Sequence, residues 1–141
     1  MTNAPLRILV VDDNADAARM LTVVLKGEGH EICTALDGLE ALDAAKLHRP
    51  DVVLLDLTLP GMSGVEVATE LRCITELAAC RLVAVSGYGE ERLPYPSPFD
   101  HYFQKPVNLA GLLEYLSGLR ARRSAQAPSR SPATRMASLW S

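Results

Sequence analysis

A chain of 141 residues is the size of one domain, and its 48% hydrophobic content excludes a disordered polypeptide. No apolar run approaches the ~20 residues of a membrane-spanning helix, and Met1-Thr2-Asn3-Ala4-Pro5 lacks the basic-then-apolar start of a secretory signal, so a cytoplasmic protein without a membrane span is expected. The net charge of −3 conceals an uneven split, with five arginines and no acid from Arg120 onward and an acidic excess before it.

The first apolar run, Leu6 to Val11, reads as a strand and ends in Asp12-Asp13. Asn14 is placed to cap a helix over Ala15 to Lys26, with Ala18, Leu21 and Leu25 on one face, and Gly27 and Gly29 stop it. Glu31 to Ala35 is a second strand. Asp37 followed by Glu40 has the spacing of a capping box and opens a helix through about Leu47. Pro50 ends that connection. Val52 to Leu55, running into Asp56, is apolar throughout and belongs in the centre of a sheet covered on both faces.

Pro60-Gly61-Met62-Ser63-Gly64 is a loop before a third helix, Val65 to Arg72. Leu82 to Val85 is a fourth strand that ends at Ser86-Gly87. Between Glu90 and Pro98 there are three prolines, too many for a full helix, because each removes an amide donor and restricts its predecessor. A helix at this place is therefore expected to be shortened or missing. Tyr102 to Gln104 is a fifth strand, running into Lys105-Pro106, and Asn108 caps a last helix whose Leu109, Leu112, Leu113 and Leu116 form one stripe. Strand and helix alternate, so the expected fold class is α/β: a doubly wound parallel sheet over residues 1–119. Residues 120–141, rich in Ala, Ser, Pro and Arg, read as a basic, disordered tail that is solvated rather than bound to membrane or nucleic acid. Cys33, Cys73 and Cys80 lack metal-ligand or paired spacing and read as buried small hydrophobes, and His30, His48 and His101 as surface or loop residues.

Ligands of open parallel sheets sit beyond the carboxyl ends of the strands. Asp12, Asp13, Asp56, Ser86 and Lys105 all fall there. Each alone is an ordinary strand-ending polar residue; together they make a cluster. Three neighbouring carboxylates repel, and a hard divalent cation relieves them. Mg²⁺ suits an all-oxygen site, with Asp13 and Asp56 as direct ligands, Asp12 acting through water and a backbone carbonyl near Thr58 completing the set. Zinc is disfavoured because neither Cys nor His joins the cluster. Lys105 is either a structural ion-pair partner or the cation that neutralises phosphoryl oxygens, with the Ser86 hydroxyl donating to another. Asp56, on the central strand, is then the nucleophile, and an acyl phosphate the product.

Five pieces in this order and spacing resemble the receiver domain of bacterial response regulators: Ile8-Leu9-Val10-Val11-Asp12-Asp13-Asn14, Pro50 to Asp56, Leu59 to Gly64, Val85-Ser86-Gly87-Tyr88 and Tyr102-Phe103-Gln104-Lys105-Pro106. The likeness covers residues 5–119. It implies a flavodoxin-like sheet of order 2-1-3-4-5, phosphorylation of Asp56 by a histidine kinase or phosphotransfer protein, and Mg²⁺ on Asp12 and Asp13. It also implies a Ser86 that moves toward the phosphoryl group, Tyr102 as the aromatic that turns inward with it, and Lys105 before a proline often found in a cis peptide bond. Thr58 and Tyr88 occupy positions that tune the lifetime of the acyl phosphate. From Ser86 to Lys105 the chain is about three residues shorter than the family's usual length; the favoured reading is a remodelled output face, the alternative a tolerated deletion that leaves the chemistry untouched. The expectation is a phosphorylatable switch acting alone through protein–protein contact, no enzyme beyond its own phosphorylation and dephosphorylation. A degenerate receiver that never takes phosphate is the alternative. A nucleotide-binding enzyme is disfavoured, since no glycine-rich phosphate loop follows the first strand and Asp12-Asp13 would repel a pyrophosphate.

Overall fold

The computed structural model describes residues 5–87 and 96–125, with side chains through 122. Strands β1 (Arg7–Val11), β2 (Glu31–Ala35), β3 (Val52–Asp56), β4 (Arg81–Ser86) and β5 (His101–Gln104) form one sheet in the order β2-β1-β3-β4-β5, every neighbouring pair parallel. Among the described residues the helices are α1 (Ala15–Gly27), α2 (Gly38–His48), α3 (Gly64–Arg72), a single 3₁₀ turn (Thr75–Leu77) and α4 (Leu109–Ala125). This is the flavodoxin-like order expected by resemblance, with the reversal of strand order between β1 and β3.

The helix starts are built from local side-chain oxygens. Asn14 accepts the amides of Asp16 and Ala17 at 3.0 and 3.1 Å, and Asp37 accepts that of Glu40 at 2.8 Å. The Glu40 carboxylate reaches back to the Leu36 amide, one residue before the usual partner. Ser63 and Glu66 close a full capping box at α3, and Asn108 accepts the Gly111 amide at α4.

Side chains alternate across the sheet with the two-residue period of a strand. Ile8, Val10, Val52 and Leu54 face α1 and α4, packing on Ala18, Leu25, Leu112, Leu116 and Leu119. Leu9, Val11, Val53 and Leu55 face α2 and α3, packing on Ala41, Ala45, Val67 and Leu71. Every residue of β3 is buried, as an apolar central strand requires. Each fully buried Leu or Val contributes on the order of 1.5–3 kcal/mol.

Several expectations need correction. The last helix does not stop at residue 119: Arg120 to Ala125 continue it, because neither glycine nor proline falls between Arg120 and Pro128 and basic side chains suit a helix carboxyl end. Arg120 donates to the Glu28 carbonyl at 3.1 Å, at the end of α1. Residues 126–141 lie outside the described residues. His30 lies in a loop as expected but is buried, and of the cysteines only Cys80 is buried, Cys33 being half-buried and Cys73 exposed. The expectation of a shortened helix before β5 falls mostly on residues 88–95, outside the described residues. From Pro96 to Asp100 there is no helix. This stretch is clamped to α3: the Arg72 guanidinium donates to the carbonyls of Pro98 and Cys80, at 2.9 and 3.0 Å, and to the Asp100 carboxylate.

Two glycines are set by close approach. A Cβ on Gly64 would lie 2.7 Å from the Asp56 carbonyl oxygen and 2.7 Å from the Leu57 Cα, and one on Gly38 2.9 Å from Met62 and Val67 side-chain atoms. The start of α3 is thus pressed against the backbone that carries Asp56. Gly64→Ala should cost about 1–3 kcal/mol, read as a lower urea midpoint with an unchanged slope. A variant as stable as wild type would show that this backbone yields freely.

Burial pushes the Cys80 thiol up to about 12, with Asp51 and Asp100 adding to the shift and Arg72 opposing it. About one part in ten thousand is then ionised at pH 8. Alkylation of native protein with iodoacetamide should modify Cys73 first and Cys80 last, by at least about 100-fold, and urea should abolish the difference; peptide mass spectrometry reads the order.

Candidate functional site

The parallel register brings the ends of β1, β3, β4 and β5 to one edge. Asp12 and Asp13 follow β1, Asp56 ends β3 beside Val85, and Ser86 ends β4 opposite Gln104, next to Lys105. Carboxylate oxygens of Asp12, Asp13 and Asp56 lie within 4.8 Å of one another. Asp12 and Asp56 are buried, at 6% and 3% exposure, while Asp13 faces solvent.

Each buried carboxylate has its own set of donors. Asp56 Oδ2 accepts the Lys105 ammonium at 3.0 Å. Asp56 Oδ1 accepts both the backbone amide and the hydroxyl of Thr58, each at 2.9 Å. Asp12 Oδ1 accepts the Asn14 amide at 2.9 Å, and its Oδ2 lies 3.9 Å from the Lys105 nitrogen. The two acids consequently part in acidity. Burial alone would raise the Asp56 carboxyl, yet the Thr58 amide, Lys105 and the Thr58 hydroxyl together hold it below its ordinary value. Asp12 is pushed above its own, by burial first and by the charges of Asp56 and Asp13, against the opposing Asn14 amide and Lys105. Burial disfavours the charged Lys105, but its bond to Asp56 and the field of the three acids raise it.

Ser86 is buried, and its carbonyl accepts the Lys105 amide at 2.7 Å, tying the end of β4 to the residue after β5. The Lys105–Pro106 peptide is cis. Tyr102 is half-buried on β5 opposite Ala84, two residues short of the edge, so it does not join the cluster. Tyr88 lies outside the described residues. Two contacts were not read from the sequence, one of them made by Thr58, which was singled out for its carbonyl and its position but not for its hydroxyl. The Thr58 hydroxyl bonds the carboxylate two residues before it; a Thr at that spacing after a strand-ending Asp was the available signal. Gly64 admits α3 against the Asp56 backbone, and a glycine directly after a capping serine gave no sign of that contact.

Three carboxylates and one ammonium leave two negative charges uncompensated, and the donors are all oxygen. The set fits a hard divalent cation such as Mg²⁺ and offers nothing soft for zinc. Among the described residues no His or Cys joins it.

The fold and this edge define a doubly wound sheet with an acidic, lysine-bearing pocket at its switch point. The sequence profile of the response regulator receiver domain matches residues 8–117, and the chain belongs to that family. It is 43% identical over 116 residues to the DNA-binding response regulator MtrA of Mycolicibacterium paratuberculosis, covering 82% of this chain and 50% of the relative. It is 38% identical over 126 residues to the transcriptional regulatory protein PrrA of Mycobacterium bovis, covering 89% of this chain and 54% of the relative. The chain thus spans about half the length of these curated relatives. Among solved structures, the chemotaxis response regulator CheY4 of Vibrio cholerae superposes with a TM-score of 0.75 at 28% identity, over 80% of this chain and 97% of that one. The response regulator TrrA of Thermotoga maritima, in complex with Mg²⁺ and BeF, does so with a TM-score of 0.72 at 36% identity, over 81% and 98%. Among the described residues no helix is long and apolar enough to cross a membrane.

The raised Asp12 has a definite consequence for stability. A carboxyl whose folded pKa lies above the unfolded 3.8 favours folding while protonated, and that contribution is lost as pH rises from 3.8 through the folded value. Asp12→Asn keeps an oxygen for the Asn14 amide and removes the charge. In EDTA at pH 7 the variant should melt higher than wild type, and the gap should close as pH falls to about 4. An equal or lower melting temperature at pH 7 would contradict the repulsion inferred for this edge.

Proposed function

We propose that the chain is a phosphorylation switch that takes a phosphoryl group onto Asp56 from a phosphohistidine of a histidine kinase or phosphotransfer protein. The observation that carries this is the Asp56 carboxylate, buried at the end of the central strand, kept ionised by Lys105 and Thr58, and flanked by two further acids. An Asp56 oxygen attacks phosphorus as the donor's P–N bond breaks, and the imidazole nitrogen leaves with the bonding pair. Lys105 offsets charge on the phosphoryl oxygens, and the Ser86 hydroxyl donates to one of them. Asp12, Asp13, Asp56 and the Thr58 carbonyl would hold Mg²⁺, which supplies the remaining charge neutralisation when bound. In this reading the chain catalyses only its own phosphorylation and dephosphorylation. The signal is a shift between two conformations in which Ser86 and Tyr102 take part, and it passes to a partner by protein–protein contact.

Incubation with acetyl phosphate and Mg²⁺ should yield a phosphorylated species by phosphate-affinity gel and intact mass. EDTA should slow its formation by about 100-fold or more, and Asp56→Asn should abolish it. Unmodified wild-type protein, under conditions where a competent receiver domain is modified, would sink the proposal. Binding of Mg²⁺ without modification would instead mark a degenerate receiver.

A further inference from the structure

β5 is an edge strand, paired with β4 alone, and none of its four residues is buried. Burial of one face is what ordinarily fixes a strand's register, and a slip of one residue turns every side chain to the other face. Half-buried Phe103, packed on the layer of α1 and α4, supplies part of that constraint. Register matters here because Lys105 directly follows β5 and its ammonium meets Asp56 Oδ2 at 3.0 Å. A slip of one residue would carry it about 3.3 Å along the strand.

The other end of β5 is held by Arg72, the last residue of α3. Its Nε donates to the Pro98 carbonyl, one Nη to the Cys80 carbonyl and the other to the Asp100 carboxylate. Cys80 immediately precedes β4 and Asp100 immediately precedes β5, so one guanidinium joins the entries of both strands. The same Asp100 oxygen accepts the Leu82 amide at 2.8 Å, while the Asp100 amide donates to the Leu82 carbonyl at 2.7 Å. Asp100 is thereby locked to Leu82, one step before the pair Val83 and His101. A guanidinium fork can serve three acceptors at once, whereas a lysine ammonium on a similar stem acts as a point charge. Arg81 is no substitute, since it lies 3.9 Å from the other Asp100 oxygen. α3 begins at Gly64, pressed against the Asp56 backbone. The helix therefore touches the strand of the acceptor at one end and the entry to the lysine's strand at the other.

We propose that Arg72 is a positioning residue for Lys105: by pinning the entry to β5 against the end of α3 and the start of β4, it sets the register that brings the Lys105 ammonium to Asp56. The effect on phosphoryl transfer rests on reading Asp56 as the phospho-acceptor; the pinning of β5 does not.

Arg72→Met removes the fork, and Arg72→Lys keeps a charge that can pair with Asp100 alone. In the full chain, peptide mass spectrometry of hydrogen exchange should show residues 101–105 of Arg72→Met speeding by about tenfold more than the peptides of β1 and β3. A purely structural loss of stability would lower the urea midpoint and speed all of them alike. Phosphorylation by acetyl phosphate and Mg²⁺ should slow by about ten- to a hundredfold in Arg72→Met and by less in Arg72→Lys. A variant carrying both Arg72→Met and Lys105→Met should be no slower than Lys105→Met alone, because the two act through one contact. If Arg72→Met does not fold, Arg72→Lys carries the same comparisons. Uniform exchange across the sheet, an unchanged phosphorylation rate, or a double variant slower than Lys105→Met overturns this inference alone. Local exchange at β5 in a protein whose wild type takes no phosphate keeps the pin and overturns the reading of the site.

Discussion

Like-charge repulsion among Asp12, Asp13 and Asp56 is the constraint around which the carboxyl edge of the sheet is organised. At 4.8 Å, the upper limit of the separations here, two carboxylates repel by about 3–4 kcal/mol at the effective dielectric of a protein surface. One ammonium, that of Lys105, sits 3.0 Å from Asp56 and 3.9 Å from Asp12, so its relief is unequal. Asp56 collects that lysine and two donors from Thr58 and is stabilised as an anion. Asp12 has one amide and the more distant half of the lysine, and it carries the cost. The uncompensated charge is two units, the charge of a divalent cation.

The opposite edge shows the same residue type put to a different use. Asp51, just before β3, accepts the Arg7 amide at 2.8 Å, and Asp100, just before β5, accepts the Leu82 amide at 2.8 Å. Each carboxylate supplies the hydrogen bond that the first or second residue of a neighbouring strand would otherwise lack. Arg72 then engages Asp100 and the chain leading to β5. Carboxylates at the amino edge are paired with backbone amides and hold strands together. Those at the carboxyl edge share one ammonium among three acids, and that charge imbalance is what makes chemistry available there.

Much of this could be read from residue order because the determinants are local. The period of apolar residues, the caps at Asn14, Asp37, Ser63 and Asn108, and the uniformly apolar Val52 to Leu55 identify the elements and the central strand. The carboxylates and Lys105 follow, since each directly ends a strand. Strand order did not follow from spacing and entered through the family resemblance. Contacts between residues far apart in the chain were illegible: Arg72 with Asp100, Arg120 with Glu28, and Gly64 against the Asp56 backbone. The early stop assigned to the last helix had a different origin. Composition changes at residue 120, but a change in composition does not end a helix when Arg and Ala both favour continuing it. Cys80 is buried as expected, but Cys33 and Cys73 were misjudged because hydrophobic character alone does not say which side chain faces the core.

The contact between Arg120 and the end of α1 fixes where α4 lies along the body of the fold. Glu28 lies just ahead of β2, at the end of the sheet where strands begin, and α4 passes it on the way to Ala125. The acidic pocket is at the other end of those five-residue strands, about 17 Å of backbone away. The carboxyl end of α4 therefore lies at the pole opposite the pocket. A change at Asp56 is relayed to the end of α4 through the sheet and its helices, and a group bound at the pocket is out of direct reach of Ala125.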